Sequence, residues 1–144
     1  MTSSQLSILR DAGILIFGDL SFRGDCPLEG AEHTTFFNQL RIIWPLYGRI
    51  AIHPKNEGKR KGKDFESLKR DKANGLTPGA SDIQIPGGPS FVCEMKRLNH
   101  MKSDFEKDQI PYLLDCKENG AFVCVALGYK AALEAVEYWH KNRV

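Results

Sequence analysis

Gly79-Ala80-Ser81-Asp82, the turn Pro86-Gly87-Gly88-Pro89, and Phe91-Val92-Cys93-Glu94-Met95-Lys96 together make up the stretch that decides the fold. Ser81–Ile85 and Ser90–Lys96 are short, apolar and bounded by turn residues, so both read as strands. The four residues Pro86–Pro89 between them predict a hairpin, which sets Asp82 beside Glu94. Side chains alternate along a strand, so Glu94 and Lys96 share one face and Met95 takes the other. Two carboxylates and an ammonium thus converge at one end of a sheet. Mg²⁺ takes oxygen ligands, commonly one or two carboxylates plus waters and substrate phosphate. A bound ion of this kind polarises a phosphodiester and lowers the pKa of its water. Lys96 is then placed to orient that water or to offset charge on phosphorus. An E-x-K triplet alone is more often a surface ion pair on a strand. The G-x-S-D turn one hairpin upstream makes the combination informative.

Outward from this hairpin the chain alternates helices and strands. Residues 4–11 read as a short helix and Ile14–Phe22 as a strand or extended arm, before Asp25-Cys26-Pro27 breaks the chain. Leu28 to Trp44 is helical, with Phe36, Phe37, Leu40, Ile43 and Trp44 on one stripe, and Pro45 stops it. Arg49–His53 reads as a strand and His53–Gly58 as a turn. Asp64–Asn74 is a polar helix closed by Gly75. Downstream, Asp104–Asn119 contains a helix. Pro111 is tolerable only in a first turn, so that helix is expected to start near Asp108. Ala121–Leu127 is a buried strand and Tyr129–Lys141 a closing amphipathic helix. The resulting order, α-β-(α)-β-β-α-β-α, predicts an α/β fold: a mixed sheet flanked by helices.

The 144 residues fit one ordinary domain, and 42% apolar with 26% charged is the balance of a globular chain. The longest apolar runs, Gly13–Gly18 and Ala121–Leu127, fall far short of the roughly 18 residues a membrane span requires. Met1–Gln5 lacks the basic flank and apolar stretch of a secretory signal, so a cytoplasmic protein is expected. Cys26, Cys93, Cys116 and Cys124 show no CxxC pairing or finger spacing. They read as reduced thiols rather than zinc ligands.

The net charge of +2 is uneven. From Lys55 to Lys72 there are eight Lys/Arg against four Asp/Glu, which leaves the rest of the chain slightly acidic. One basic run on a near-neutral body suits a phosphate backbone, although a solvated loop and helix face would look the same by charge alone. Lys55, Asn56, Lys59, Arg60, Lys61 and Lys63 are the candidates for DNA contact. His53, at the end of its expected strand, is another, although a lone His is more often a packing or surface residue.

Gly79–Asp82 with Glu94-Met95-Lys96 resembles the PD-(D/E)xK nuclease superfamily, and the surrounding residues resemble its VRR-NUC branch. The similarity covers about residues 28–140. It includes a helix glutamate at Glu29 or Glu32, the turn His53–Gly58, the G-x-x-D turn, the E-x-K strand, and Ser103 with Gln109. Ser81 stands where Pro is usual, and Tyr112 where Trp is frequent; neither change removes a group the chemistry needs. Residues 1–27, read as an N-terminal arm, find no counterpart, and 55–75 reads as a basic insertion in a nuclease domain spanning 28–144.

The resemblance implies a restriction-endonuclease-like core. It also implies a Mg²⁺ or Mn²⁺ ion held by Glu29, Asp82, Glu94 and the Met95 carbonyl, and catalytic roles for Asp82, Glu94, Lys96 and Gln109. Gln109 falls in a helix first turn, where its amide is placed to hold the attacking water or Lys96; ordinary helix-start polarity would also put it there. Between the two glutamates, helix geometry favours Glu29, about 20° from the centre of the apolar stripe against about 80° for Glu32. An acid there also suits the helix N-terminus.

The function these readings imply is a metal-dependent endodeoxyribonuclease, with branched DNA and a homodimer suggested by the resemblance. Leu133, Val136 and Trp139 of the last helix are the apolar residues expected to be surplus for an interface. A DNA-binding module with a silent nuclease site is the alternative, disfavoured because a binder has no need of an acidic cage facing phosphate. A small-molecule phosphoesterase is disfavoured by the basic run.

Overall fold

The computed structural model describes residues 1–54 and 65–143. Its elements are α1 (Ser3–Asp11), β1 (Leu15–Phe17), α2 (Glu29–Ile43), α3 (Pro45–Ile50), α4 (Phe65–Ala73), β2 (Ile83–Ile85), β3 (Phe91–Lys96), α5 (Gln109–Glu118), β4 (Phe122–Leu127) and α6 (Tyr129–Asn142). A 3₁₀ turn at His100–Lys102 lies between β3 and α5.

The four strands form one sheet in the order β1-β4-β3-β2. β3 and β4 are parallel and joined by α5, whereas β2 and β3 form the expected antiparallel hairpin, with Ile83 opposite Cys93. One further step along that register sets Asp82 opposite Glu94. β1 pairs in parallel with β4, so residues 1–27, expected as an arm, supply α1 and an edge strand of the same sheet.

The two central strands are buried on both faces, and alternation divides them. Phe91, Cys93 and Met95 of β3, with Cys124 and Ala126 of β4, face α2, α3 and α6 and pack around Phe36, Leu40, Tyr47 and Trp139. Val92, Val123, Val125 and Leu127 face α1 and α5, against Leu9 and Leu113. Each fully buried large side chain contributes roughly 1.5–3 kcal/mol, so both layers are needed for a chain of this size. All four cysteines are free thiols.

Three expectations are corrected. Arg49–His53 is not a strand: Pro45 ends α2 but also occupies the first position of α3, where its fixed φ favours a helix. The strand is reduced to a single bridge between Ile52 and Gln84. Ile43 leaves the apolar stripe of α2 and is exposed beside Ile42, because the helix ends there. Val136 and Trp139 are buried in the core and Leu133 packs against it, so these three are not surplus for a partner. Apolar side chains instead lie exposed at the α2–α3 corner, at Ile42, Ile43, Leu46 and Ile50. No helix among the described residues is long and apolar enough to cross a membrane.

Candidate active site

At the C-terminal end of β3 the sheet holds a buried polar cluster. Glu94 and Lys96 are nearly inaccessible, with 1% and 2% of their surface exposed, and Asp82 retains 6%. Both β3 residues point towards α5, as alternation requires. There Lys96 Nζ donates to the Asp104 carbonyl at 2.6 Å and to Gln109 Oε1 at 3.0 Å, lies 3.5 Å from Glu94 Oε1, and sits over the Phe105 ring. Gln109 Nε2 donates to Glu94 Oε1 at 2.8 Å, and its Oε1 also accepts from Glu106 N–H at 2.8 Å. Gln109 is therefore fixed at both ends of its amide, and it locks Lys96 to Glu94.

Asp82 is placed by the turn that precedes it. Gly79 has φ +75°, and a Cβ there would fall 2.1 Å from the Asp108 carbonyl oxygen. A glycine thus lets the G-x-S-D turn press against the start of α5, bringing Asp82 and Gln109 to one place. Because β2 begins only at Ile83, Met95 N–H has no strand partner there and donates instead to Asp82 Oδ2, at 3.1 Å. In a strand the N–H and C=O of one residue point to the same edge. The Lys96 carbonyl accepts from Gly128 N–H on the β4 side, so the Met95 carbonyl faces the Asp82 edge.

The two carboxylates differ in charge preference. Burial drives the Glu94 pKa well above its ordinary value, and the neighbouring Asp82 charge drives it further, against the pull of Lys96. Burial acts the same way on Asp82, but His33, the adjacent Glu94 carboxyl and the Met95 N–H together hold its pKa below the usual range. The two shifts run in opposite directions, so Asp82 gives up its proton more readily than Glu94. Glu94 Oε2 is buried and has no hydrogen-bond partner among the described residues. An unpartnered carboxylate oxygen beside a second buried carboxylate is what a cation would complete, so the residues present fit a divalent metal.

The helix glutamates have separate tasks. Glu32 is buried, and its Oε2 accepts from Tyr129 N–H at 2.7 Å, capping α6 at the helix end where an anion is favoured. Gly128, with φ +87°, leaves room for that contact. Glu29 is half-buried, accepts from Ser103 Oγ at 2.9 Å, and adds its charge to the field on Glu94. Ser103 Oγ in turn accepts from Arg97 N–H at 2.9 Å, tying Glu29 to the end of β3.

His53 reaches the cluster itself: its Nδ1 lies 2.7 Å from the Asp82 carbonyl oxygen. His33, which nothing in the sequence pattern singled out, extends from α2 to within 3.5 Å of Asp82 Oδ2. A ring nitrogen of each histidine and an Asp82 oxygen lie within 4.8 Å of one another, a second group able to hold a metal. The signal that would have found His33 is a polar residue three positions before Phe36, inside the apolar stripe. Gln84 Nε2 donates to Tyr112 Oη at 2.7 Å, so the tyrosine keeps a polar contact from α5 to β2. Lys55, Asn56, Lys59, Arg60, Lys61 and Lys63 lie outside the described residues.

No family model matches the chain, and no curated protein does. A solved structure described as a VRR_NUC domain protein superposes on it with a TM-score of 0.65. The match covers 85% of this chain and 93% of that one, at 16% identity. The fold is that of a VRR_NUC domain protein. At this identity the likeness establishes architecture: a mixed four-stranded sheet flanked by helices, as the G-x-S-D and E-x-K motifs led one to expect.

Proposed function

We propose that this VRR_NUC-fold chain is a Mg²⁺- or Mn²⁺-dependent endodeoxyribonuclease that hydrolyses DNA phosphodiesters, with branched DNA as its preferred substrate. The observation that carries the reading is the buried Asp82–Glu94–Lys96 cluster with Glu94 Oε2 left unpartnered. A binding module would gain nothing from burying two carboxylates where phosphate must approach.

Asp82, Glu94 and the Met95 carbonyl would hold the ion, with Glu29 completing the acidic side. When bound, the ion supplies Lewis-acid polarisation of the phosphodiester and a lowered pKa for water. Lys96 Nζ keeps an ammonium beside Glu94, where it orients the attacking water or offsets charge developing on phosphate oxygens. Gln109 holds Lys96 and Glu94 in mutual register and is a positioning residue. The basic run from Lys55 to Lys72 would track the phosphate backbone. Neutralising Lys59, Arg60, Lys61 and Lys63 should weaken DNA binding at all sequences and flatten its salt dependence. A four-way junction presents two symmetric scissile phosphates, so a homodimer is proposed, its cover being the exposed apolar corner at Ile42, Leu46 and Ile50.

Linear, nicked, flapped and four-way DNA should be offered to the purified chain with Mg²⁺, Mn²⁺ or EDTA. Metal-dependent cleavage of the four-way substrate ahead of linear duplex is expected. No cleavage of any DNA with either ion would overturn the reading. Sedimentation showing a monomer at micromolar concentration, with and without DNA, would remove the dimer.

A further inference from the structure

His33 and His53 bring nitrogen to a cluster otherwise built from oxygen. His33 reaches Asp82 from α2, on one face of the sheet, whereas Gln109 and Lys96 hold Glu94 from the α5 face. His33 is 7% exposed, and its Nε2 has no hydrogen-bond partner among the described residues. At 3.5 Å from Asp82 Oδ2 it is too distant for a good hydrogen bond, and only a protonated ring would make an ion pair there, a long one. Leaving such a group unsatisfied costs about 1–3 kcal/mol.

His53 is oriented by its other nitrogen. Its partner at 2.7 Å is the Asp82 carbonyl, which can only accept, so Nδ1 is the donor and Nε2 is the nitrogen left for a ligand. A hydrogen bond from one imidazole nitrogen to a backbone carbonyl is the arrangement that fixes the tautomer of a metal-binding histidine. Ligands of a common ion, each about 2.1 Å from it, lie within about 4.2 Å of one another. The donors here lie within 4.8 Å, so a small adjustment closes the site. A groove of about 480 Å³, lined by both histidines with Thr34, Phe37 and Arg41, opens this face to solvent.

We infer that His33, His53 and Asp82 form a nitrogen-bearing site for a borderline transition-metal ion, of the class of Mn²⁺, Co²⁺ or Zn²⁺. It shares Asp82 with the oxygen-only site at Glu94, and to that extent rests on the proposed function. Mg²⁺ demands oxygen and sheds its waters reluctantly, whereas imidazole suits the later divalent ions. The two sides of Asp82 therefore differ in the ion they select, and Mn²⁺ satisfies both.

Co²⁺ reports on its ligands through its visible absorption, independently of cleavage. Titrating the full chain with Co²⁺ should give a spectrum typical of nitrogen coordination. Affinity should fall about tenfold or more in His33→Ala and in His53→Ala, with Mg²⁺ binding essentially unchanged in both. Because His33 is buried, His53→Ala at an exposed position supplies the same test without risk to the fold. Unchanged Co²⁺ affinity and spectrum in both variants would overturn the inference. The proposed function would survive that result if Glu94→Gln still abolished Mg²⁺-dependent cleavage. Conversely, histidine-dependent Co²⁺ binding in a chain that cleaves no DNA would keep this site and remove the nuclease reading.

Discussion

The two sides of Asp82 are built on different principles. On the α5 side, Lys96 has three polar partners and Gln109 uses both ends of its amide. Outside that network, the buried His33 Nε2 on the α2 side and Glu94 Oε2 have no hydrogen-bond partner among the described residues. A satisfied buried network is rigid, and its geometry is inherited by whatever it holds. Unsatisfied buried atoms are costly, and persist where a ligand supplies the missing contact. On the proposed function, the satisfied network positions and the unsatisfied atoms bind, so substitutions on the two sides should fail in different ways.

The largest effect is expected on the positioning side. Lys96→Ala should lower single-turnover cleavage by at least about a hundredfold, since the proposed role of Lys96 is to act on charge that develops in the transition state. DNA affinity should stay near that of the unaltered chain. Undiminished cleavage would take Lys96 out of the mechanism, and loss of fold as well as activity would make it a structural ion pair. Asp82→Ala should also abolish cleavage but tighten metal-free DNA binding, because it removes a negative charge facing phosphate.

Gly79→Ala probes how the sides are joined. Its Cβ would overlap the Asp108 carbonyl, and φ +75° is unfavourable for alanine, so the turn must withdraw from α5. A cost of about 1–3 kcal/mol and a melting point several degrees lower are expected. Cleavage should fall further than stability alone explains, because Asp82 and Gln109 would separate. A thermal melt and an assay at low temperature distinguish the two contributions.

Glu94→Gln should have the opposite sign in the metal-free chain. The raised Glu94 pKa means that, without metal, stability falls as pH rises from the ordinary glutamate range through the folded value. Asp82, with its lowered pKa, contributes stability above the ordinary aspartate range that is lost as pH falls through its folded value. At neutral pH the glutamine removes only the first penalty, so stability should rise by about 1–2 kcal/mol while metal affinity collapses. A lower melting point without metal would show that Glu94 is held ionised by Lys96 instead.

Much of this contrast was legible in the sequence, but not evenly. Gln109 was singled out by the family resemblance. The hairpin, the E-x-K face and the start of α5 followed from local rules: strand alternation, a turn of fixed length, and Pro111 limiting where α5 begins. Those rules act over a few residues, and the α5 side is assembled almost wholly from them. The binding side depends on α2 meeting β2 across more than forty residues, and no local pattern encodes that His33 arrives at Asp82. Arg49–His53 was misread because β-branched Ile50 and Ile52 outweighed Pro45 as a helix start. The α6 stripe was read as surplus because two layers of core, not one, had to be filled.

The smallest predicted effect separates the two helix glutamates. Glu32 is buried against the first turn of α6, so Glu32→Ala should cost about 1–3 kcal/mol by uncapping that helix. Glu29 is half-buried and bonded to a serine hydroxyl that has a second partner in Arg97 N–H. Glu29→Gln preserves the shape and still accepts from Ser103, so stability should change by less than about 0.5 kcal/mol. What it removes is one negative charge acting on Glu94. The Glu94 proton should then be lost more easily, while the cation loses part of its electrostatic attraction. These act in opposite directions on metal binding, and the net expectation is a weakening of a few-fold, with its onset moved to lower pH. Calorimetric titration of Mg²⁺ at several pH values reads both quantities. A loss of affinity as large as that of Glu94→Gln would make Glu29 a direct ligand of the ion, and no change at any pH would leave it outside the site.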